Sequence, residues 1–262
     1  MSRNLFYFVP ICYISICGCK QTEIKSPANT TDPNRLELQI AFITYDTDPD
    51  FKRWYEYNEI GDFTRQGSLG DTIMYAYTKN KITKKHNKKA NSIQSTVIYT
   101  TDDSGLITSS EVYEENDKMV STYRFEYNVA GYLVKLTRED TNGGQKYIQT
   151  YTYKDGNLLE VKGMDQSGVS SSKYVYDFYP DQMNHLNLFS EQILEDIFPN
   201  ERLGKMNKNL IRQFVYIDTS GDTLSHIKYE YLDEGDKNIL VQKEIDVINA
   251  SETIIKYHFV RH

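Results

Sequence analysis

Apolar and polar residues alternate along most of this chain. Leu36-Glu37-Leu38-Gln39-Ile40 opens with strict alternation, the period of a half-buried strand, and predicts a first strand over Leu36–Ile43. Tyr-X-Tyr then recurs at Tyr55/Tyr57, Tyr75/Tyr77, Tyr151/Tyr153, Tyr174/Tyr176 and Tyr229/Tyr231, with aromatic variants at Phe125/Tyr127 and Tyr257/Phe259. Residues two apart share a face of a strand, so each pair sets two rings on one side. Turn residues follow the pairs. Asp155-Gly156-Asn157, Asn128-Val129-Ala130-Gly131 and Asn58-Glu59-Ile60-Gly61 contain residues that tolerate the positive φ of tight hairpins, and Asp102–Gly105 and Asp218–Asp222 mark further turns. The pattern predicts an all-β fold: an antiparallel meander of hairpins forming one large curved sheet or an open, porin-like β-barrel.

The rhythm breaks after Tyr179. Pro180 to Phe189 reads as an irregular run. Ser190 then caps a short α-helix near 190–198, whose stripe of Ile193, Leu194, Ile197 and Phe198 needs a surface to bury against, and Pro199 stops it. Lys208-Asn209-Leu210-Ile211 returns the chain to strands. This interruption of a regular meander is the expected place for a specific function, with Asn184 and Asn187 as its polar candidates.

Composition sharpens the picture. Twenty-two tyrosines against 39% hydrophobic residues suit a sheet with one packed and one solvated face, because a tyrosine ring packs while its hydroxyl stays wet. The formal charge of −7 is spread along the chain and supplies no field that favours nucleic acid. Six lysines between Lys79 and Lys89 read as a solvated hairpin tip, the alternative being a patch for polyanions.

The N-terminus carries an address. Arg3 precedes an apolar run from Leu5 to Ile16, too short to span a bilayer, which needs about 20 helical residues. Ile16-Cys17-Gly18-Cys19 resembles the bacterial lipobox. That resemblance implies a lipoprotein signal peptide over 1–18, acylation of Cys19 and attachment to membrane through it. Residues 19–34 read as a flexible tether and 36–262 as a single β domain. All three cysteines lie within the first nineteen residues, so the rest of the chain has no disulfide and no cysteine-based metal site. Clustered acids after Cys19, which resemble a surface-export signal, are missing. The expected location is therefore the bacterial outer membrane, facing the periplasm.

Two resemblances bear on the folded part. The Tyr-X-Tyr hairpins resemble YD (Rhs-type) repeats, but the Gly-Arg-Leu of that pattern is replaced by Gly131-Tyr132-Leu133 and Gly156-Asn157-Leu158. The hairpins, the Tyr176-Asp177…Asn184-His185-Leu186-Asn187 excursion, Lys-Asn-Leu and the lipobox together resemble a Bacteroidetes lipoprotein family of unknown function. That resemblance implies a porin-like β fold over residues 36–262 and carries no catalytic residues.

Candidate chemistry is sparse. Asp46, Asp48 and Asp50 alternate as in a calcium loop, yet Phe51 and Tyr57 stand where glycine and the closing glutamate belong, so a polar turn is expected. Asp177, Asp181, Asn184 and His185 lack a second histidine at ligand spacing. No phosphate loop, nucleophile elbow or His-Glu-X-X-His occurs. The expectation is therefore no catalytic, cofactor-binding or metal residues and no cofactor. The chain reads as a lipid-anchored binding or scaffolding protein of the envelope, with an apolar or glycan ligand on its tyrosine-rich sheet. An envelope or glycan hydrolase and a membrane-embedded barrel are the alternatives.

Overall fold

In a computed structural model, sixteen antiparallel strands close into a barrel. The structure describes residues 38–261 apart from 49, 59–61, 69, 88–94, 115–116, 185–199, 233–234 and 237–238. The strands are β1 (Leu38–Tyr45), β2 (Lys52–Tyr57), β3 (Phe63–Ser68), β4 (Asp71–Thr78), β5 (Lys81–Asn87), β6 (Ser95–Thr101), β7 (Ile107–Glu114) and β8 (Lys118–Tyr127). They continue as β9 (Leu133–Asp140), β10 (Lys146–Lys154), β11 (Asn157–Asp165), β12 (Ser170–Met183), β13 (Asn209–Asp218), β14 (Thr223–Leu232), β15 (Ile239–Asp246) and β16 (Ser251–Arg261). Each strand pairs with its neighbours in sequence, and β1 closes on β16 from Leu38↔Arg261 to Tyr45↔Ile255. Closure leaves no unpaired sheet edge.

The alternation seen in the sequence sorts the side chains. Residues opposite each other in an antiparallel pair share a face. Tyr75↔Lys84↔Val97, Tyr151↔Val161↔Tyr174 and Tyr176↔Phe214↔Ile227 all lie on the inner one. Tyr55, Tyr75, Tyr99, Tyr151, Tyr176 and Tyr257 are among the residues that build this core, all 0–8% exposed. A barrel of sixteen strands is wide enough to leave a water-filled channel. At this level it is packed with rings instead.

The second tyrosine of a pair does a different job from the first. Tyr57, Tyr77 and Tyr127 donate their hydroxyls to the carbonyls of Ile40, Phe63 and Ile107 at 3.0, 2.8 and 2.7 Å. Each acceptor lies on the preceding strand, so ring packing and a polar tether coincide at one end of the barrel.

A recurrent turn links many of the strands. Asp102, Asn128, Asp165 and Asp218 each accept two backbone N–H groups through Oδ1, from the residues two and four further on, at 2.9–3.1 Å. The Ser167 hydroxyl and backbone N–H groups hold the Asp165 carboxyl below its ordinary pKa.

Three readings of the sequence need revision. The lysine run is a hairpin tip only in part: Lys79 stands in the turn between β4 and β5, but Lys81, Lys84 and Lys85 belong to β5, and Lys84 shares the inner face with Ile82 at 9% exposure, while Lys88 and Lys89 lie outside the described residues. Lysine charge had hidden an ordinary period of two. The run after Tyr179 is strand as far as Met183, with irregular register between Phe178 and Met183 that accommodates Pro180. Asn184 is no free ligand contact. Its N–H donates to Lys208 O at 2.9 Å and its amide to Asn207 O at 3.2 Å, and it is buried. The helix expected near 190–198, His185, Asn187, Cys19 and the tether lie outside the described residues.

Candidate functional site

The two ends of the barrel differ. Call the strapped end the one that carries the turns between β6 and β7, β8 and β9, and β10 and β11. A segment between β12 and β13, beginning with a single 3-10 turn at Asn200–Leu203, crosses it. Leu203 drops into the core. Arg202 pairs with Asp62 at 3.2 Å, and its carbonyl lies 3.4 Å from the Tyr127 hydroxyl. The N–H groups of Lys205 and Lys208 donate to the carbonyls of Gly131 and Gly156 at 2.8 and 3.0 Å. Asn207 Oδ1 takes the N–H of Leu158 at 2.7 Å. Gly204 makes the crossing possible: its φ is +96°, and a Cβ there would stand 2.5 Å from Gly131 O. These bonds tie successive hairpin turns under one strap.

At the opposite end most inner side chains are half-buried and more polar, and Arg138 is exposed. On β8, β9 and β10, Tyr123, Arg138 and Tyr147 lie opposite one another in one row. The Arg138 guanidinium sits 5.8 Å from the Tyr123 ring centroid and donates to Asp140 Oδ1 at 2.8 Å. Gln149, Gly163 and Ser172 form the next row along β10, β11 and β12. Tyr174 and Tyr216 follow, with ring centroids 4.6 Å apart and planes at 22°. The Tyr151 hydroxyl donates to Gln149 Oε1 at 3.0 Å, which fixes that side chain's oxygen. Ser110 Oγ, buried on the inner face opposite Tyr123, has no hydrogen-bond partner.

The arrangement is a cup. Its floor is the ring-packed core, where burial drives the Tyr75 and Tyr151 hydroxyls far above their ordinary pKa and keeps them neutral. Its wall over β8–β13 alternates tyrosine rings with a guanidinium, a carboxylate, an amide and hydroxyls. Flat rings beside short polar groups suit stacking on a cyclic polar molecule together with hydrogen bonding of its rim. Among the described residues, no group of three or more His, Cys, Asp or Glu side chains is placed to hold a metal ion. Asp177, singled out in the sequence, instead takes hydrogen bonds from Arg212 on the neighbouring strand.

Of the cup residues, Tyr174, in the Tyr174/Tyr176 pair, was singled out from the sequence, and the others were not. The signal was available: Tyr123 with Phe125, Arg138 with Leu136, and Tyr147 and Gln149 with Tyr151 share parity with core positions. What alternation cannot say is which end of each strand faces an open mouth.

Comparison with known proteins places the fold. No family model and no curated protein matches the chain. A porin-like protein from Bacteroides uniformis ATCC 8492, known from its crystal structure, superposes with a TM-score of 0.58 at 16% identity, over 85% of this chain and 96% of that one. Its likeness is one of fold: an all-β, porin-like barrel. A solved TcdB2-TccC3-Cdc42 structure matches 79% of this chain but only 15% of its own, at 9% identity and a TM-score of 0.20, too weak a likeness to carry an argument.

Proposed function

We propose that this chain is a lipid-anchored binding protein of the bacterial envelope that takes a glycan in the tyrosine-lined cup. The observation that carries the reading is the asymmetry of the lumen: a strapped, ring-packed end opposite a wall in which Tyr123, Tyr147, Gln149, Ser172 and Tyr174 are half-buried and Arg138 is exposed. Of the apolar and glycan ligands the sequence left open, this wall favours the glycan. Tyrosine faces stack on sugar rings, and the interleaved polar groups match ring hydroxyls.

The anchor is Cys19 within the lipobox Ile16-Cys17-Gly18-Cys19, and the outer membrane, on its periplasmic side, is the proposed location. The outer face supports a barrel standing in water beside the membrane. Lys85, Arg124, Glu126, Lys162, Lys228 and Glu230 occupy outward positions, and a lysine or arginine facing the bilayer midplane costs about 2–4 kcal/mol. No helix of the described residues is long and apolar enough to cross a membrane.

Calorimetric titration with soluble fragments of envelope polysaccharide tests the reading. Tyr147→Ala and Tyr174→Ala should each weaken binding about tenfold or more in protein that keeps its folded circular dichroism spectrum, with a lower melting temperature for Tyr174→Ala because it loses the stack on Tyr216. Equal binding by the wild type and both variants would sink it. Release of reducing ends from the same fragments would favour the hydrolase alternative, with Asp140 the first acid to replace.

A further inference from the structure

The closure seam carries an aromatic belt on its outer face. Phe42 on β1 lies opposite Trp54 on β2 and His258 on β16; Trp54 lies opposite Gly67 on β3, and His258 opposite Ile239 on β15. These side chains point outward, because Ile43, Tyr55, Tyr257 and Phe259 beside them are core residues. The Phe42 and His258 rings stack at 4.1 Å and 18°. Lys52 Nζ stands 3.6 Å from the Phe42 centroid, and the Arg65 guanidinium 5.3 Å from that of Trp54.

Cross-strand stabilisation explains part of this. A ring laid over a glycine fills the gap it leaves in a strand, and Trp54 lies so close over Gly67 that a Cβ there would meet Cζ2 at 2.5 Å. It does not explain why the belt is bordered by cations. Among the described residues, the outward ionisable side chains of these five strands, histidine aside, are Lys52, Arg65, Lys243 and Lys256 against Glu56 and Glu252. The whole chain carries −7. A basic surplus around half-buried aromatic rings runs against that balance.

We propose that this seam face rests on an anionic lipid surface. The inference rests on the anchor reading. The tether from Cys19 enters the barrel at β1, the strand that carries Phe42, so the seam is the part of the barrel held nearest the lipid. Nineteen residues reach at most about 65 Å, and shorter excursions dominate in a flexible chain. Aromatic rings settle at the headgroup level and lysine and arginine pair with anionic lipid, which together fix one side of the barrel against the membrane.

The chain has one tryptophan, and it is in the belt, so its fluorescence reports the contact directly. The full-length protein is reconstituted into vesicles of phosphatidylethanolamine with phosphatidylglycerol, and acylation of Cys19 is checked by mass spectrometry. Trp54 emission should shift to shorter wavelength, be quenched by brominated lipid, and revert in high salt. Lys52→Gln with Arg65→Gln should lower the docked fraction, in odds, about thirtyfold, with an unchanged circular dichroism spectrum. Emission that ignores brominated lipid in acylated protein would overturn the inference and leave the belt as a cross-strand staple. An unmodified Cys19 would sink the anchor reading, while brominated-lipid quenching of the same protein would still decide the seam.

Discussion

Asn157 and Asn209 grip each other twice. Asn157 Oδ1 accepts the backbone N–H of Asn209 at 2.9 Å, and its amide donates to Asn209 Oδ1 at 3.0 Å. One residue opens β11, straight after a two-residue hairpin turn; the other opens β13, straight after the strap. The pair therefore joins the regular meander to its one long interruption. Asn157→Ala and Asn209→Ala should each cost about 1–3 kcal/mol by leaving partly buried polar groups without partners. Denaturant melts of both singles and the double should show a coupling of at least about 0.5 kcal/mol. Additive losses would mean the two grips are independent.

Gly204 lets the strap pass over Gly131. Gly204→Ala adds a Cβ 2.5 Å from a backbone oxygen, at a φ that side chains disfavour. Hydrogen exchange should then speed up at Lys205 and Lys208 while the strands keep their protection, and stability should fall by about 1–3 kcal/mol.

Base should unfold this barrel. Burial raises the pKa of Tyr75, Tyr127, Tyr151 and Tyr153 above the ordinary 10.0. The folded protein therefore holds these protons where the unfolded chain has released them. Their contribution is complete below pH 10 and is lost as the pH climbs above it. Each phenol that stays neutral subtracts about 1.4 kcal/mol per pH unit beyond that point. Phenolate absorbance should rise in two steps, the second coinciding with loss of the circular dichroism signal; a single smooth titration of all the tyrosines in folded protein would contradict the packed lumen.

Gly67 and Trp54 should behave as one unit. Gly67→Ala places a methyl against both the indole and the Asp71 carbonyl, 2.7 Å away, and should destabilise by about 1–3 kcal/mol. Part of that loss should vanish when Trp54 is first cut to alanine. A Gly67→Ala penalty that is unchanged in the Trp54→Ala background would assign the clash to the carbonyl alone.

The strand-and-turn plan was legible because it is local. Tyr151-Thr152-Tyr153 and Asp155-Gly156-Asn157 contain their own geometry: ring parity sets the face, and Asp155 and Gly156 take the positive φ of 53° and 85° that the hairpin requires. The Asp102, Asn128, Asp165 and Asp218 turns share one spacing, acceptor then glycine three residues on, that could have been used to place strand ends more closely. Lys84 was misread because charge outweighed parity. The strap was not legible, and of the cup only the parity of its residues was. Arg202 meets Asp62 across 140 residues only once the sheet has curled, and the openness of one mouth depends on the strap covering the other.

Closure at β1 and β16 has a kinetic consequence. Every other ladder joins strands that are neighbours in sequence, so hairpins can form as the chain emerges, each at a small loop-closing cost. The last ladder joins Leu38 to Arg261 and waits until β16 has been made. Until then the growing sheet presents two bare edges, both templates for pairing with another copy. A chain that loses β16 should therefore aggregate rather than fold into a fifteen-stranded barrel, and the eleven residues Ser251–Arg261 are the latch of the whole barrel.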